Sequence, residues 1–262
     1  MLVSFKKAGI FEVQTEFDRI RRQYCSPYTN YFKQQLNGAD IFYFSSASTV
    51  IFLNDDYDFY RLYFVSGNLE ELNQFFKVIE WKTNLVIDYI TKSTDGKLEC
   101  VFQANGFQFL STYLKMRHLA LPNVKVNSRL YFANEEQVDL LLSRLLKDFN
   151  PYTDHLPTRL MLLNYIRNRW VIINGEPNDI RGYIVFQVLG KHVNCNFVYN
   201  SSNNVLDWLF LQRNLYGLMN QQGIRRGFLW VESENVEVIK MYKTQGWYFD
   251  GVIDKFFVRK VV

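Results

Sequence analysis

Two similar units of α/β (α+β) class, each a mixed and mostly antiparallel sheet flanked by helices, are what this 262-residue sequence predicts. Three observations carry the prediction. Short segments recur in the same order along the chain: SPYTNYF at Ser26 to Phe32 as NPYTDHL at Asn150 to Leu156, FVSGN from Phe64 as YNSSN from Tyr199, and QANGF from Gln103 as KTQGW from Lys243. Their offsets of 124, 135 and 140 residues grow steadily, as insertions in a second copy would make them. Both halves alternate between the 3.6-residue period of a half-buried helix and the two-residue period of a strand. Finally, 48% hydrophobic and 21% charged residues, with only 13 Gly and 5 Pro, describe a folded chain with ample core.

In the first half, Val13, Phe17, Ile20 and Tyr24 fall on one helical face. The runs IFYF, TVIFL and FYRLYFV then read as strands, being rich in aromatic and β-branched residues. A helix starts at Asn68, with Glu71 three residues on as a capping-box partner, and buries Leu69, Leu72, Phe76 and Ile79. NLVIDYI is the next strand. The segment HLALPNVKVN, around Pro122, is the expected seam, dividing the chain into residues 1–124 and 125–262.

The second half repeats the plan at greater length. Val138, Leu141, Leu142, Leu145, Leu146 and Phe149 mark one buried helix face with Asn134 as N-cap, and Pro151 and Pro157 break and restart the helix. WVIING and RGYIVFQVLG form a hairpin across EPND, and VNCNFVYN is a third strand. A helix follows from about Asn204 to Gln222, with Gly223 placed to end it. FLWVE is a strand, VEVIKMYKTQG a short helix and FFVRKVV a last strand.

Composition excludes several function classes. With Lys plus Arg at 30 against Asp plus Glu at 26, the charge of +4 is too small and interspersed to suggest a nucleic-acid partner. No run approaches the roughly 18 apolar residues of a membrane span. Glu12 and Glu16 interrupt the N-terminal region where a signal peptide would need an apolar core. Cys25, Cys100 and Cys195 lack disulfide or zinc spacing, and His118, His155 and His192 are equally scattered, so no metal is expected and the reading is a cytoplasmic protein with reduced thiols. Nothing in the sequence specifies an oligomeric state. Phe, Tyr and Trp are 23, 17 and 5, so aromatic stripes are read as packing first.

One stretch carries more. FLWVESENVEVIKMYKTQGW places Asn235, Val238, Tyr242, Gly246 and Trp247 at the spacing Asn-x-x-Ala-x-x-x-Tyr-x-x-x-Gly-Phe, after a strand. It resembles the second half of the GNAT acyltransferase superfamily, and the element order from about Arg129 to Val262 agrees. The resemblance implies a V-shaped splay in each sheet and an acyl-CoA, with acetyl-CoA the first expectation, lying in the splay. Its pantetheine would pair with VNCNFVYN, at Phe197 and Val198. The turn Asn200, Ser201, Ser202, Asn203 and Asn204 would face its diphosphate, and Asn235 the mouth of the cleft. Tyr242 would protonate the departing thiolate, and the acceptor would be the primary amine of a small molecule or peptide. Glu232, at the end of FLWVE, is the preferred base for that amine, with Glu176 and His192 as weaker candidates. Arg226 could reach an adenosine phosphate, although nothing favours it over Arg225.

Two departures from the family pattern stand out. The turn YNSSNNV has neither the glycines nor the arginine with which such turns hold a diphosphate on bare backbone NH groups. In the first half, aligning Gly106 with Gly246 puts Phe102 at the place of Tyr242 and Asp95 at that of Asn235, so the first unit is read as non-catalytic. Glu70 and Glu71, at the start of its helix, would also compete with a phosphate. Two other functions stay open: a GNAT-fold binding or scaffold protein without catalysis, and a transferase using an aminoacyl-tRNA donor.

Overall fold

The computed structural model describes residues 5–32, 41–79, 82–92, 95–127, 129–176, 179–202 and 204–261. The chain divides into two compact units, one of Met1–Thr112 with Ile253–Val262 and one of Tyr113–Val252. The stretch around Pro122 therefore lies inside the second unit, and the last ten residues belong to the first.

The first unit contains β1 (Lys6–Ala8), α1 (Ile10–Gln23), β2 (Tyr28–Thr29), β3 (Ile41–Ser45), β4 (Thr49–Asp56), β5 (Phe59–Ser66), α2 (Leu69–Val78), β6 (Asn84–Thr91) and α3 (Lys97–Ala104). Its sheet runs β1, β3, β4, β5, β6, and is completed by Ile253 to Arg259, which pair with Thr91 to Leu85 of β6. All pairings are antiparallel except β5 with β6, where Phe59 to Arg61 run parallel to Asn84 to Val86. TVIFL reads as a continuous apolar run because helices cover both faces. Ile51 and Leu53 pack with Leu72, Phe76 and Phe102 on one face, while Val50 and Phe52 pack with Val13, Phe17 and Ile20 on the other.

The second unit takes in Tyr113 to His118 of β7 (Gln108–His118), then β8 (Tyr131–Phe132), a 3₁₀ turn at Glu135–Gln137, α4 (Val138–Asp148), α5 (Arg159–Arg167), β9 (Val171–Glu176), β10 (Asp179–Leu189), β11 (His192–Asn200), α6 (Val205–Gln221), β12 (Arg226–Glu232), α7 (Val236–Thr244) and the start of β13 (Tyr248–Arg259). Its sheet order is β8, β9, β10, β11, β12, β7, antiparallel except for β11 with β12. The two units thus share one strand plan: antiparallel strands, then one parallel pair spanned by a helix, then an antiparallel strand.

Local expectations hold with small differences, except that Leu146, read onto the buried face of α4, is 43% exposed while Val138, Leu141 and Leu145 are buried. Asn68 Oδ1 accepts from the NH groups of Glu70 and Glu71, yet the Glu71 carboxylate does not close the capping box. It accepts instead from Ser48 and from Thr49 Oγ1 at 2.8 Å, while the Asn68 NH goes to Ser66 Oγ. A full capping box does form between Asn134 and Gln137. Helix α3, β7 and β8 extend beyond the elements read from sequence, and β13 begins eight residues before FFVRKVV. The two glycine turns after α3 and α7 are built alike. The NH of Gly106 bonds the Gln103 carbonyl and that of Phe107 the Phe102 carbonyl, just as Gly246 bonds Lys243 and Trp247 bonds Tyr242.

Candidate active cleft of the second unit

Strands β11 and β12 pair in parallel only over His192 to Cys195 and Arg226 to Leu229. Beyond that point β11 stays on β10 and β12 stays on β7, where Trp230, Val231 and Glu232 face Lys115, Leu114 and Tyr113. The separation has a local cause. Phe186 faces Cys195 but Val185 faces Phe197, so Asn196 is an extra residue in β11, and such a bulge bends and twists its strand. A cleft of about 380 Å³ occupies the resulting gap. Cys195, Asn196 and Val198 line it from β11, Leu229 to Glu232 from β12, and Asn235, Val238 and Tyr242 from α7.

The spacing found in the sequence has a physical reason at each position. Asn235 is the N-cap of α7, its Oδ1 accepting from the Val238 NH at 3.4 Å. Val238 and Tyr242, four residues apart, share the helix face that meets the cleft. Gly246 takes φ 88, where a Cβ would also lie 3.0 Å from His118 Nε2. Trp247 turns into the core and donates to Tyr216 Oη at 2.8 Å. Tyr242 is 4% exposed, with its ring edge-on to Trp208 at 5.3 Å and Trp247 at 5.7 Å. Burial, with the Cys195 and Tyr216 groups nearby, pushes its phenol well above the usual tyrosine range. The buried Gln212 amide offsets this slightly without reaching hydrogen-bond geometry. Tyr242 therefore keeps its proton throughout the neutral range. Burial also pushes the Cys195 thiol up to about 12, so that sulfur is no thiolate nucleophile.

Carboxyl groups gather at the same cleft. Glu232 lines it with Tyr113, Asp148, Thr153 and Asp154. Tyr113 Oη donates to Asp154 Oδ1 at 3.0 Å and lies 3.0 Å from Thr153 Oγ1, while Asp154 Oδ2 accepts from the Asn150 NH at 2.8 Å. Desolvation raises both carboxyls above the usual range, and the Asp154 charge adds to the rise at Glu232. Sequence reasoning selected Glu232 but not Asp154, Thr153 or Tyr113. NPYTDHL was visible as a repeat, yet nothing in it says that Asp154 meets a strand 78 residues further on.

No protein-family model matches the sequence, and no curated protein does either. Solved structures do. A GNAT-family acetyltransferase from Colwellia psychrerythraea is similar at 12% identity over 98% of this chain and 100% of its own, with a TM-score of 0.58. A tandem GNAT protein from the clavulanic acid biosynthesis pathway is similar at 12% identity over 98% of each chain, with a TM-score of 0.59. An N-acetyltransferase from Sphaerobacter thermophilus is similar at 10% identity over 81% of this chain and 80% of its own, with a TM-score of 0.57. The chain has the GNAT fold.

Within that fold the residues expected at the cofactor separate into two groups. Val198, Asn235, Tyr242 and Glu232 meet at the cleft. Phe197 turns its ring away into the core, 5.1 Å from Phe149, which leaves its backbone as the part available to a ligand. The turn before α6 is bonded to itself. Asn204 Oδ1 accepts from the Leu206 NH, Ser202 Oγ accepts from the Asn204 NH and donates to Asp207 Oδ2 at 2.7 Å, and Asn200 Nδ2 donates to the carbonyls of Ser202 and Asn204. The Ser201 NH goes to the Arg181 carbonyl at 2.8 Å. Asn203 lies outside the described residues.

Three weaker candidates lie elsewhere. Glu176 is exposed at the end of β9 and does not line the cleft. His192 and Arg226 stand at the opening pair of the β11/β12 ladder, the opposite end of these strands from the splay, and line a separate pocket with Lys115, Arg117 and His118. Arg226 is therefore not positioned for the adenosine phosphate of a ligand in the splay. Arg225 donates to Asn220 Oδ1.

The corresponding splay of the first unit is filled. Asn30 is fully buried, with Nδ2 donating to the carbonyls of Leu62 on β5 and Asp88 on β6 at 2.9 and 3.0 Å, and Oδ1 accepting from the Phe64 NH. Phe102 packs among Phe64, Phe76, Phe107 and Phe257. The start of α2 is held by Asn68 and Glu71. Among the described residues no helix is long and apolar enough to cross a membrane.

Proposed function

We propose that this protein transfers an acyl group from a thioester, acetyl-CoA or another acyl-CoA, to the primary amine of a small molecule or peptide, with the chemistry in the cleft of the second unit. The observation that carries the reading is the coexistence, in one strand splay, of a buried proton-bearing Tyr242 and the carboxyl of Glu232. The thioester arm fits: among the described residues β11 has no strand partner on its β12 side beyond Cys195, which leaves an edge that can pair with amides. When bound, the donor supplies the electrophilic carbonyl. Ionised Glu232 takes the proton that the amine loses as its nitrogen bonds to that carbon. Tyr242 donates its proton to sulfur as the C–S bond breaks, so that amide and free thiol are the products. Cys195, buried and with its thiol pushed up to about 12 by that burial, is given no covalent role in this reading.

The test is isothermal calorimetry with acetyl-CoA at millimolar concentration, paired with thiol release in the presence of primary amines. Heat of binding and amine-dependent thiol release are expected. Binding without release would favour the second reading, a GNAT-fold binding protein without catalysis, and the self-bonded turn before α6 supports that reading. Neither signal would sink both.

The pH dependence tests Glu232 separately. Its carboxyl acts as a base only when ionised, and burial with Asp154 raises its titration, so kcat/KM rises with pH through a limb above the ordinary carboxylate range. Asp154→Asn removes the neighbouring charge and moves that limb to lower pH. Glu232→Gln abolishes it. A limb that ignores both substitutions would show that neither carboxyl takes the proton.

A further inference from the structure

We infer that the donor is recognised through its acyl-pantetheine arm alone, with no contribution from a nucleotide diphosphate at the start of α6. The substrate class is then any acyl-pantetheine thioester, whether or not the arm carries a nucleotide. This rests on the acyl-transfer reading and narrows it.

The start of α6 is the place where the end of β11 would deliver a diphosphate, since a helix N-terminus offers NH groups and a positive partial charge. Among the described residues, four NH groups of this turn are used internally. The NH groups of Ser201, Asn204, Leu206 and Asp207 bond to Arg181 O, Ser202 Oγ, Asn204 Oδ1 and Asn204 O. The Asp207 carboxylate sits in the first turn, and the Ser202 hydroxyl together with the nearby Asn174 amide keeps it ionised below the usual range. Arg181, on the neighbouring strand β10, is exposed, and its charge acts on that carboxylate only weakly, as the last of the influences on it. An incoming diphosphate would therefore meet a negative charge where the helix end should attract it. It would also meet the exposed side chains of Val205 and Leu206, at 49% and 66% accessibility, on the turn it would have to approach. Arg225 and Arg226 cannot compensate, because they lie at the other end of β12. By contrast the thioester end of the cleft keeps its open β11 edge and Tyr242.

The experiment compares kcat/KM for acetyl-CoA, acetyl-dephospho-CoA and S-acetylpantetheine with one amine acceptor at fixed ionic strength. The expected values agree within about fivefold, the range that one charge at the helix start leaves once no other contact in ground or transition state involves the nucleotide. A preference of about tenfold or more for acetyl-CoA over S-acetylpantetheine overturns the inference and leaves the acyl-transfer reading standing. No thiol release from any donor defeats that reading itself. An acetylated holo-acyl-carrier protein separates the sources of the arm: turnover shows that carrier-borne arms are substrates, turnover of free thioesters alone confines the class to those, and both results support recognition of the arm. Asp207→Asn is expected to raise kcat/KM for acetyl-CoA by about two- to fivefold, the worth of one charge at a helix start, and to leave S-acetylpantetheine unchanged. An equal change for both donors, or none for either, overturns the role given to this carboxylate.

Discussion

Tyr242→Phe lowers kcat by about 10²- to 10⁴-fold, the usual contribution of a positioned general acid, and leaves the dissociation constant for the donor nearly unchanged. The substitution removes one hydroxyl and keeps the ring, whose contacts with Trp208 and Trp247 hold it in place. The fold itself supplies the control. Phe102 stands at the matching place in the first unit, before a glycine turn with the same backbone hydrogen bonds, so a phenyl ring is compatible with this helix. Because burial holds the Tyr242 phenol above its usual range, it stays protonated up to and beyond pH 10 and adds no alkaline limb at lower pH. Steady-state kinetics with calorimetric donor affinity makes the measurement, with thermal unfolding as a check on the fold. An unchanged kcat would make Tyr242 a packing residue.

Arg61→Met destabilises the first unit by about 3–5 kcal/mol, the cost of leaving a buried charge without its partner. Arg61 Nε lies 2.6 Å from Asp56 Oδ2, and both side chains are 2% exposed. Asp88 and Asp254 are buried in the same unit at 3% and 6% exposure. Burial and the Asp88 charge push the Asp254 carboxyl above its usual range, and the Arg61 charge opposes that rise. Removing the guanidinium leaves Asp56 without its ion-pair partner in a medium that penalises charge. The double variant Arg61→Met with Asp56→Leu is expected to recover part of the loss, since Asp56 is then no longer a buried charge, while Asp88 and Asp254 still lack the guanidinium whose charge acts on them. Urea unfolding of the single and double variants decides the matter, and a loss below about 1 kcal/mol for the single variant would place the pair among ordinary surface bridges.

The sequence was most informative where its signals act over one helical turn or one strand. Asn235, Val238, Tyr242, Gly246 and Trp247 keep their spacing because a cap, two positions on one helix face, a left-handed turn and a core anchor are all local requirements. The missing glycine before α6 was equally legible, but the consequence was not. That Asp207 is held at the helix start by Ser202 depends on where the turn folds. Asp154 shows the same limit in the cleft, since its meeting with Tyr113 joins positions 41 residues apart in the chain.

Local patterns thus determined most of the element order and the spacing of Asn235, Tyr242 and Gly246, while the role of Tyr242 as proton donor is what the resemblance implies. Tertiary structure decided which strand completes which sheet, because Ile253 to Arg259 of β13 and Tyr113 to His118 of β7 satisfy backbone hydrogen bonds that a strand pattern offers to any partner of matching register. It also decided that the bulge at Asn196 opens one splay while Asn30 bridges the other. Pairing register and side-chain convergence are sums over residues distant in the chain, and a repeat of a few residues carries no record of those sums.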